Sequence, residues 1–211
     1  MFTGLIEEIG TVKSLTPFGG GLKIVISASE IPGDCSVGDS INVNGACQTV
    51  TSFGNGYFEV TAVTETVKKT TLGKLRLNER VNLERSLTLN KKLGGHFVMG
   101  HVDTTGKIMH IRKLPDSYLV DISYPKEFGK YIVNVGAVSV DGISLTIASS
   151  SETLFTVSVI PHTWSNTTLA DRSIGSLVNL EFDILGKYVA RILGREEGTG
   201  LTEEWLKQQG F

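Results

Sequence analysis

Short runs of alternating apolar and polar residues, rich in β-branched side chains, recur along the whole chain. Leu22 to Ala28 (LKIVISA) is the clearest. Ser40 to Val43, Gln48 to Ser52 and Tyr57 to Ala62 follow it, and Ala137 to Val140, Leu145 to Ala148 and Leu154 to Ile160 read the same way further on. A period of two predicts half-buried β-strands. Asn44-Gly45, Asn55-Gly56 and Asp141-Gly142 stand between the runs and predict tight hairpin turns.

The runs come in two sets. Residues 44–84 align with residues 141–181 without a gap, at a constant offset of about 97, and roughly a third of the aligned positions are identical. Gly45 falls on Gly142, Thr49 on Thr146, Phe58 on Phe155, Val60 on Val157 and Thr66 on Thr163. Thr70-Thr71-Leu72 falls on Thr167-Thr168-Leu169, and VNLE ending at Glu84 falls on VNLE ending at Glu181. Dropping one residue brings Gly4, Ile6 and Gly10 onto Gly100, Val102 and Gly106. A period of this length is too long for a solenoid unit and fits a small domain.

Two patterns are helical. Thr64 to Thr70 predicts a short helical turn capped by Thr64, and its twin starts at Pro161, a residue suited to a first helical position. Further on, Leu185, Tyr188, Val189 and Ile192 form an apolar stripe at helical spacing within Ile184 to Leu193. That stripe is expected to pack on its counterparts in an oligomer, the alternative being its own barrel. Gly198 to Gly200 reads as a flexible break, and Leu201 to Gln209 as a last short helix capped by Thr202. The expected fold is all-β: two tandem six-stranded Greek-key β-barrels, residues 1–90 and 91–185, with a C-terminal helix in an oligomerisation tail at 186–211.

Composition narrows the function. The 211 residues are 40% hydrophobic and 20% charged, with a net charge of −2. That profile is globular and carries no nucleic-acid footprint. No apolar run reaches the ~20 residues of a membrane span. MFTGLIEEIG lacks the basic and apolar regions of a signal peptide, so the chain reads as cytoplasmic. Cys35 and Cys47 would there be reduced, and neither sits in a CxxC.

Four places could carry chemistry. The first is GGHFVMGH, Gly94 to His101. His101 can serve as acid or base, or it can be a plain loop histidine. A metal site would need a third ligand, and only Asp103 is near in sequence, so no metal is expected. The second is Cys47, which the repeat sets opposite Ser144. Each follows a turn whose N–H groups could bind an acyl or amide group, and the competing reading is a small core residue. The third is Thr61 to Thr66 with its counterpart Ser158 to Thr163, strand ends whose hydroxyls suit a polyol or a uracil-like edge. The fourth is Glu84 and Glu181, which are either paired acid/base groups or structural strand ends. Asp183 breaks the repeat, its counterpart being Ser86, which suggests a role of its own.

MFTGLIEEIGTV, GDSINVNGACQTV, ETVKKTTLG, VNLERS, GGHFVMGHVDTTG, DGISLTI, IPHT and EEWLKQQGF, in order and over nearly the whole chain, resemble the riboflavin synthase family. The resemblance implies a homotrimer of two-barrel subunits joined through C-terminal helices. It implies a dismutation of two 6,7-dimethyl-8-ribityllumazine molecules to riboflavin and 5-amino-6-(ribitylamino)uracil, with no cofactor and with association with lumazine synthase. Each barrel would hold one lumazine, the reactive pair meeting between neighbouring subunits. Carried over by position, Gly4, Leu5, Ile6, Cys47, Gln48, Thr49, Thr61, Ala62, Val63, Thr64, Glu65 and Thr66 would cradle one molecule. Gly100, His101, Val102, Val135, Ser144, Leu145, Thr146, Ser158, Val159, Ile160, Pro161, His162 and Thr163 would cradle the other. Ser40, Cys47, His101, Ser144 and Asp183 would stand nearest the chemistry. Two positions depart from the family: Gln48 stands where Leu is usual, and Val135 where Lys is usual. A non-catalytic lumazine- or flavin-binding antenna protein of the same lineage is the competing function. A reductase flavin domain is more distant, because the chain shows no nucleotide-binding α/β unit.

Overall fold

A computed structural model describes residues 1–199. The first repeat forms strands β1 (Glu8–Phe18), β2 (Gly21–Ser27), β3 (Ser40–Val43), β4 (Ala46–Gly54), β5 (Tyr57–Ala62) and β6 (Arg80–Arg85). The second forms β7 (Thr104–Lys113), β8 (Tyr118–Ser123), β9 (Ala137–Val140), β10 (Ile143–Ser150), β11 (Leu154–Val159) and β12 (Leu177–Phe182). Each set closes into an antiparallel barrel, in the order β1-β2-β5-β4-β3-β6 and its repeat equivalent. Closure leaves no strand edge to pair with another chain.

Alternation along the strands fills each barrel. Ile24, Ile26, Phe58, Val60, Val81 and Leu83 are fully buried in the first, and their repeat mates Val120, Ile122, Phe155, Val157, Val178 and Leu180 in the second. The β-bulges recur at matching places, between Val12 and Ser14, Val50 and Ser52, Ile108 and His110, and Ile147 and Ser149. They fall in β1, β4, β7 and β10, the longest strands, which such kinks let bend around a closed barrel.

The hairpin turns meet where the barrels touch. Asn44 and Asp141 sit at φ 47° and 46°, the left-handed geometry of an Asn/Asp-Gly turn. Asn82, in β6, donates its side-chain N–H to the Asp141 carbonyl (3.0 Å) and accepts from the Thr168 N–H (2.7 Å). Asn179, its mate in β12, donates to the Asn44 carbonyl (2.6 Å) and accepts from the Thr71 N–H (2.7 Å). The asparagine of each VNLE segment therefore clasps the other barrel. Where the first repeat has Asn44 and Leu75, the second has the ion pair Asp141–Arg172 (2.9 Å), fully buried on the Asp141 side.

Helices α1 (Thr64–Lys69) and α2 (Pro161–Ser165) form where expected. The cap differs from the sequence reading. Val63 holds the N-cap of α1, and Thr64 lies inside the helix. The capping threonine is Thr70, whose hydroxyl accepts from the Leu72 N–H (3.1 Å) and starts the following 3-10 turn. Helix α3 runs Ile184–Thr199, so Gly198 lies inside it and the expected break does not begin there. The expected helix at Leu201 to Gln209 lies outside the described residues. Leu185, Tyr188, Val189 and Ile192 are each more than half exposed, so the apolar stripe is not folded onto its own barrel.

Candidate functional site

The segments preceding the barrels, residues 2–6 and 98–102, decide the site. They pair with each other through an antiparallel bridge, Phe2 with Val98 (2.7 and 3.1 Å), both residues fully buried. Each then crosses to the other repeat's fourth strand. The Cys47 N–H donates to the Gly100 carbonyl (2.8 Å), and the Ser144 N–H donates to the Gly4 carbonyl (2.8 Å).

Two sequence readings are corrected here. The N–H groups after the Asn-Gly and Asp-Gly turns are not free for a ligand: those of Cys47 and Ser144 go to the start segments, and that of Gly45 goes to Asn42 Oδ1 (2.7 Å). The start segments are also exchanged. Gly100, His101 and Val102 stand against Cys47, and Gly4 against Ser144, the reverse of the grouping by repeat.

Glycine is required at both crossings. Gly4 and Gly100 have φ +77° and +76°, and a Cβ would lie 2.5 Å from Ser144 Cβ and 2.6 Å from Cys47 Cβ respectively. Left-handed backbone and contact this close leave no other residue type.

A cavity of 190 Å³ opens at the first crossing, lined by Cys47, Gln48, Glu65, Thr66, Lys69, Thr70 and residues 100–102. Cys47 is half-buried and Thr49 exposed on the outward face of β4. Gln48 points inward, is buried, and donates Nε2 to the Cys47 carbonyl (2.6 Å). An amide can satisfy itself in this way where the repeat mate Leu145 simply packs in the core. Ser40 faces Thr49 across the β3–β4 ladder. Thr61, Thr64 and Thr66 are half-buried, Ala62 is buried and Val63 exposed.

At the second crossing the structure gives a role to His96, which the sequence reading placed in GGHFVMGH without counting it among the site residues. His96 Nδ1 lies 2.7 Å from Ser144 Oγ, and His96 Nε2 is buried without a partner. Burial lowers the His96 pKa below the ordinary histidine value, with the Asp183 charge opposing. The imidazole is therefore neutral at neutral pH and can exchange a proton with the serine hydroxyl. The GGHFVMGH motif marks this histidine in the sequence, but its pairing with Ser144, far along the chain, does not show there. Asp183 also accepts from the Leu185 N–H (3.0 Å), at the start of α3. Thr146, Ser158, Ile160, Pro161 and His162 are exposed, Thr163 half-buried, Leu145 and Val159 buried. Val135 is 80% exposed at φ +64°, a strained conformation for a β-branched residue. Tyr118 and Trp164 stack at 4.1 Å beside α2, where the first repeat has Leu22 and Val67.

Glu84 and Glu181 each grip a start segment. Glu84 accepts from the Thr3 N–H, the Thr3 hydroxyl and the Gly4 N–H (2.7, 2.6 and 3.0 Å). Glu181 accepts from the N–H groups of Met99, Gly100 and His101 (2.6, 2.9 and 3.0 Å). Among the described residues no three His, Cys, Asp or Glu side chains converge as a metal site would require.

The geometry of two matched crossings agrees with comparison to known proteins. The family model for the lumazine binding domain matches twice, at residues 3–86 and 99–183. The riboflavin synthases of Bacillus amyloliquefaciens and Actinobacillus pleuropneumoniae are 43% and 42% identical, over the whole of both chains. That of Schizosaccharomyces pombe is 40% identical over 99% of each chain. Among solved structures, LumP complexed with 6,7-dimethyl-8-(1'-D-ribityl) lumazine superposes with a TM-score of 0.78, covering 86% of this chain and 99% of that one. Its identity is 22%, a likeness of fold.

Proposed function

The chain belongs to the riboflavin synthase family, and on that premise we propose that it catalyses the dismutation of two 6,7-dimethyl-8-ribityllumazine molecules to riboflavin and 5-amino-6-(ribitylamino)uracil. The duplication carries the reading. Two matched crossings, at Cys47 and at Ser144, suit two copies of one ligand. Their unlike polar groups, the Cys47 thiol in one and the Ser144–His96 pair in the other, suit the unlike roles of donor and acceptor.

The chemistry needs little machinery. Loss of a proton from the 7-methyl group leaves a carbanion delocalised over the ring, so one lumazine becomes a carbon nucleophile. Addition of water or a side chain at C7 activates the other. Carbon–carbon bonds form between the rings, the donor's four-carbon unit passes to the acceptor, and the adduct group is released. The two products contain all the atoms of the two substrates, so no oxidant or reductant enters. Alignment of the rings can supply ~7–11 kcal/mol of the barrier. Proton movement through His101, or through Ser144 and His96 with Asp183 facing them, adds ~10²–10⁴-fold. Ser40 and Cys47 supply the hydroxyl and thiol of the first recess.

The exposed stripe on α3 supports a homotrimer in which this helix is covered by its counterparts. The cytoplasm is the proposed compartment, and association with lumazine synthase is part of the same reading. The competing antenna function is less well supported, since identity to LumP is 22% against 43% to an enzyme. The test is incubation of the purified full chain with the lumazine alone. Riboflavin and the diaminouracil forming one to one supports the enzyme. A bound fluorescent ligand without turnover supports the antenna.

A further inference from the structure

We propose that Glu181 and Glu84 are positioning residues that act crosswise: Glu181, in the second barrel, shapes the Cys47 recess of the first, and Glu84, in the first, shapes the Ser144 recess of the second. The proposal rests on the reading of these recesses as the two lumazine sites. The chain of contacts is continuous. Three successive N–H groups, those of Met99, Gly100 and His101, converge on the Glu181 carboxylate. The left-handed Gly100 makes this concave arrangement, an anion nest. The same peptide run presents the Gly100 carbonyl to the Cys47 N–H and brings His101 to the cavity edge. On the other side Glu84 holds Thr3 and Gly4, and the Gly4 carbonyl takes the Ser144 N–H.

Only an ionised carboxylate fits this place. It accepts at both oxygens, whereas a glutamine would turn an N–H donor against one of the peptide N–H groups. Burial pushes both carboxyls up from the ordinary glutamate value. The peptide donors and one lysine each oppose it: Lys91 Nζ at 4.0 Å from Glu84, and Lys187 toward Glu181. Lys187 belongs to α3 and also pairs with Asp103 at 2.6 Å, so the tail helix touches the same assembly. Neither glutamate reaches a recess itself. Each is fully or nearly fully buried behind the segment it holds. Positioning errors of about 1 Å can cost ~10²-fold in rate, so the clamp bears on catalysis without touching substrate.

The test uses the full chain with Cys35→Ser as background, so that Cys47 is the one thiol, and reads its alkylation by iodoacetamide. Glu181→Gln is expected to speed alkylation roughly tenfold, the factor for losing one hydrogen bond's worth of restraint, and to lower kcat more than it raises KM. Glu84→Gln is expected to leave Cys47 alkylation unchanged while weakening lumazine quenching of Trp164, read with Trp205→Phe. Lys187→Met, a milder change, should shift alkylation in the direction of Glu181→Gln if that variant fails to fold. Equal effects of the two glutamate variants on Cys47, or none from Glu181→Gln and Lys187→Met, overturn the proposal. Alkylation needs no lumazine, so a chain without turnover but with the crosswise pattern would refute the proposed reaction and keep the clamp.

Discussion

Gly100→Ala is the sharpest single perturbation this fold offers. The added Cβ would stand 2.6 Å from Cys47 Cβ, 2.8 Å from Phe2 Cε2 and 3.0 Å from the Cys47 nitrogen, on a backbone at φ +76°. None of these atoms can swing aside: Phe2 is fully buried, and the Cys47 N–H is tied to Gly100 itself. The left-handed conformation costs an alanine ~1–2 kcal/mol. Overpacking against rigid neighbours adds ~1–3 kcal/mol. The sum, about 2–5 kcal/mol, corresponds to a fall of roughly 4–20 °C in Tm for a chain this size. The chain can relieve the clash by lifting residues 99–101 from Cys47, so turnover should fall with stability. Thermal unfolding by circular dichroism and a riboflavin absorbance assay measure both. Gly33→Ala is the control, since a Cβ there meets nothing within 4 Å. A Gly100→Ala protein melting with the parent and turning over normally would show that this crossing does not shape the recess.

Other outcomes are open to the same assays. Val135→Gly should raise stability by about 1 kcal/mol, because relief of left-handed strain exceeds the entropy cost of glycine and the exposed side chain packs on little; a lowered Tm would contradict this. Asn82→Ala leaves the Asp141 carbonyl and the Thr168 N–H unpaired at the buried seam and should cost roughly 2–5 kcal/mol in urea unfolding. A loss under about 1 kcal/mol would mean the barrels do not depend on that clasp. Burial raises the Glu7 carboxyl, but the Lys91 and Arg85 contacts outweigh it, and the group titrates below the ordinary glutamate range. Its contribution is therefore complete above that range and lost as pH falls through the folded-state value. Glu7→Gln should cost about 1 kcal/mol at neutral pH, with the gap to the parent closing in acid. A gap that widens in acid would reverse the sign of this argument.

The barrels were legible because their signals are local and repeated. Alternation from Leu22 to Ala28 fixes which side chains enter the core, and the left-handed Asn44 and Asp141 turns fix the register. The two VNLE segments were visible as a repeat, yet their asparagines clasp residues 59 and 135 positions away, which no periodicity reveals. The exchange of start segments was hidden for a deeper reason. Repeat alignment shows which residues are equivalent, and says nothing of which copy they touch. Grouping by copy therefore put Gly4 with Cys47, when Gly100 is its neighbour. The Thr64 cap failed because the helix begins one residue earlier than the threonine suggests: extended Val63 takes the N-cap and Thr64 is already in the first turn.

Each chain is expected to hold two lumazines, one at each crossing. Calorimetric titration of the full chain with an unreactive lumazine analogue counts them directly. Two molecules bound per chain, the first-recess event weakened by Gly100→Ala and the second by Gly4→Ala, is the predicted result. One molecule per chain, or two whose affinities answer to the same glycine, would contradict it.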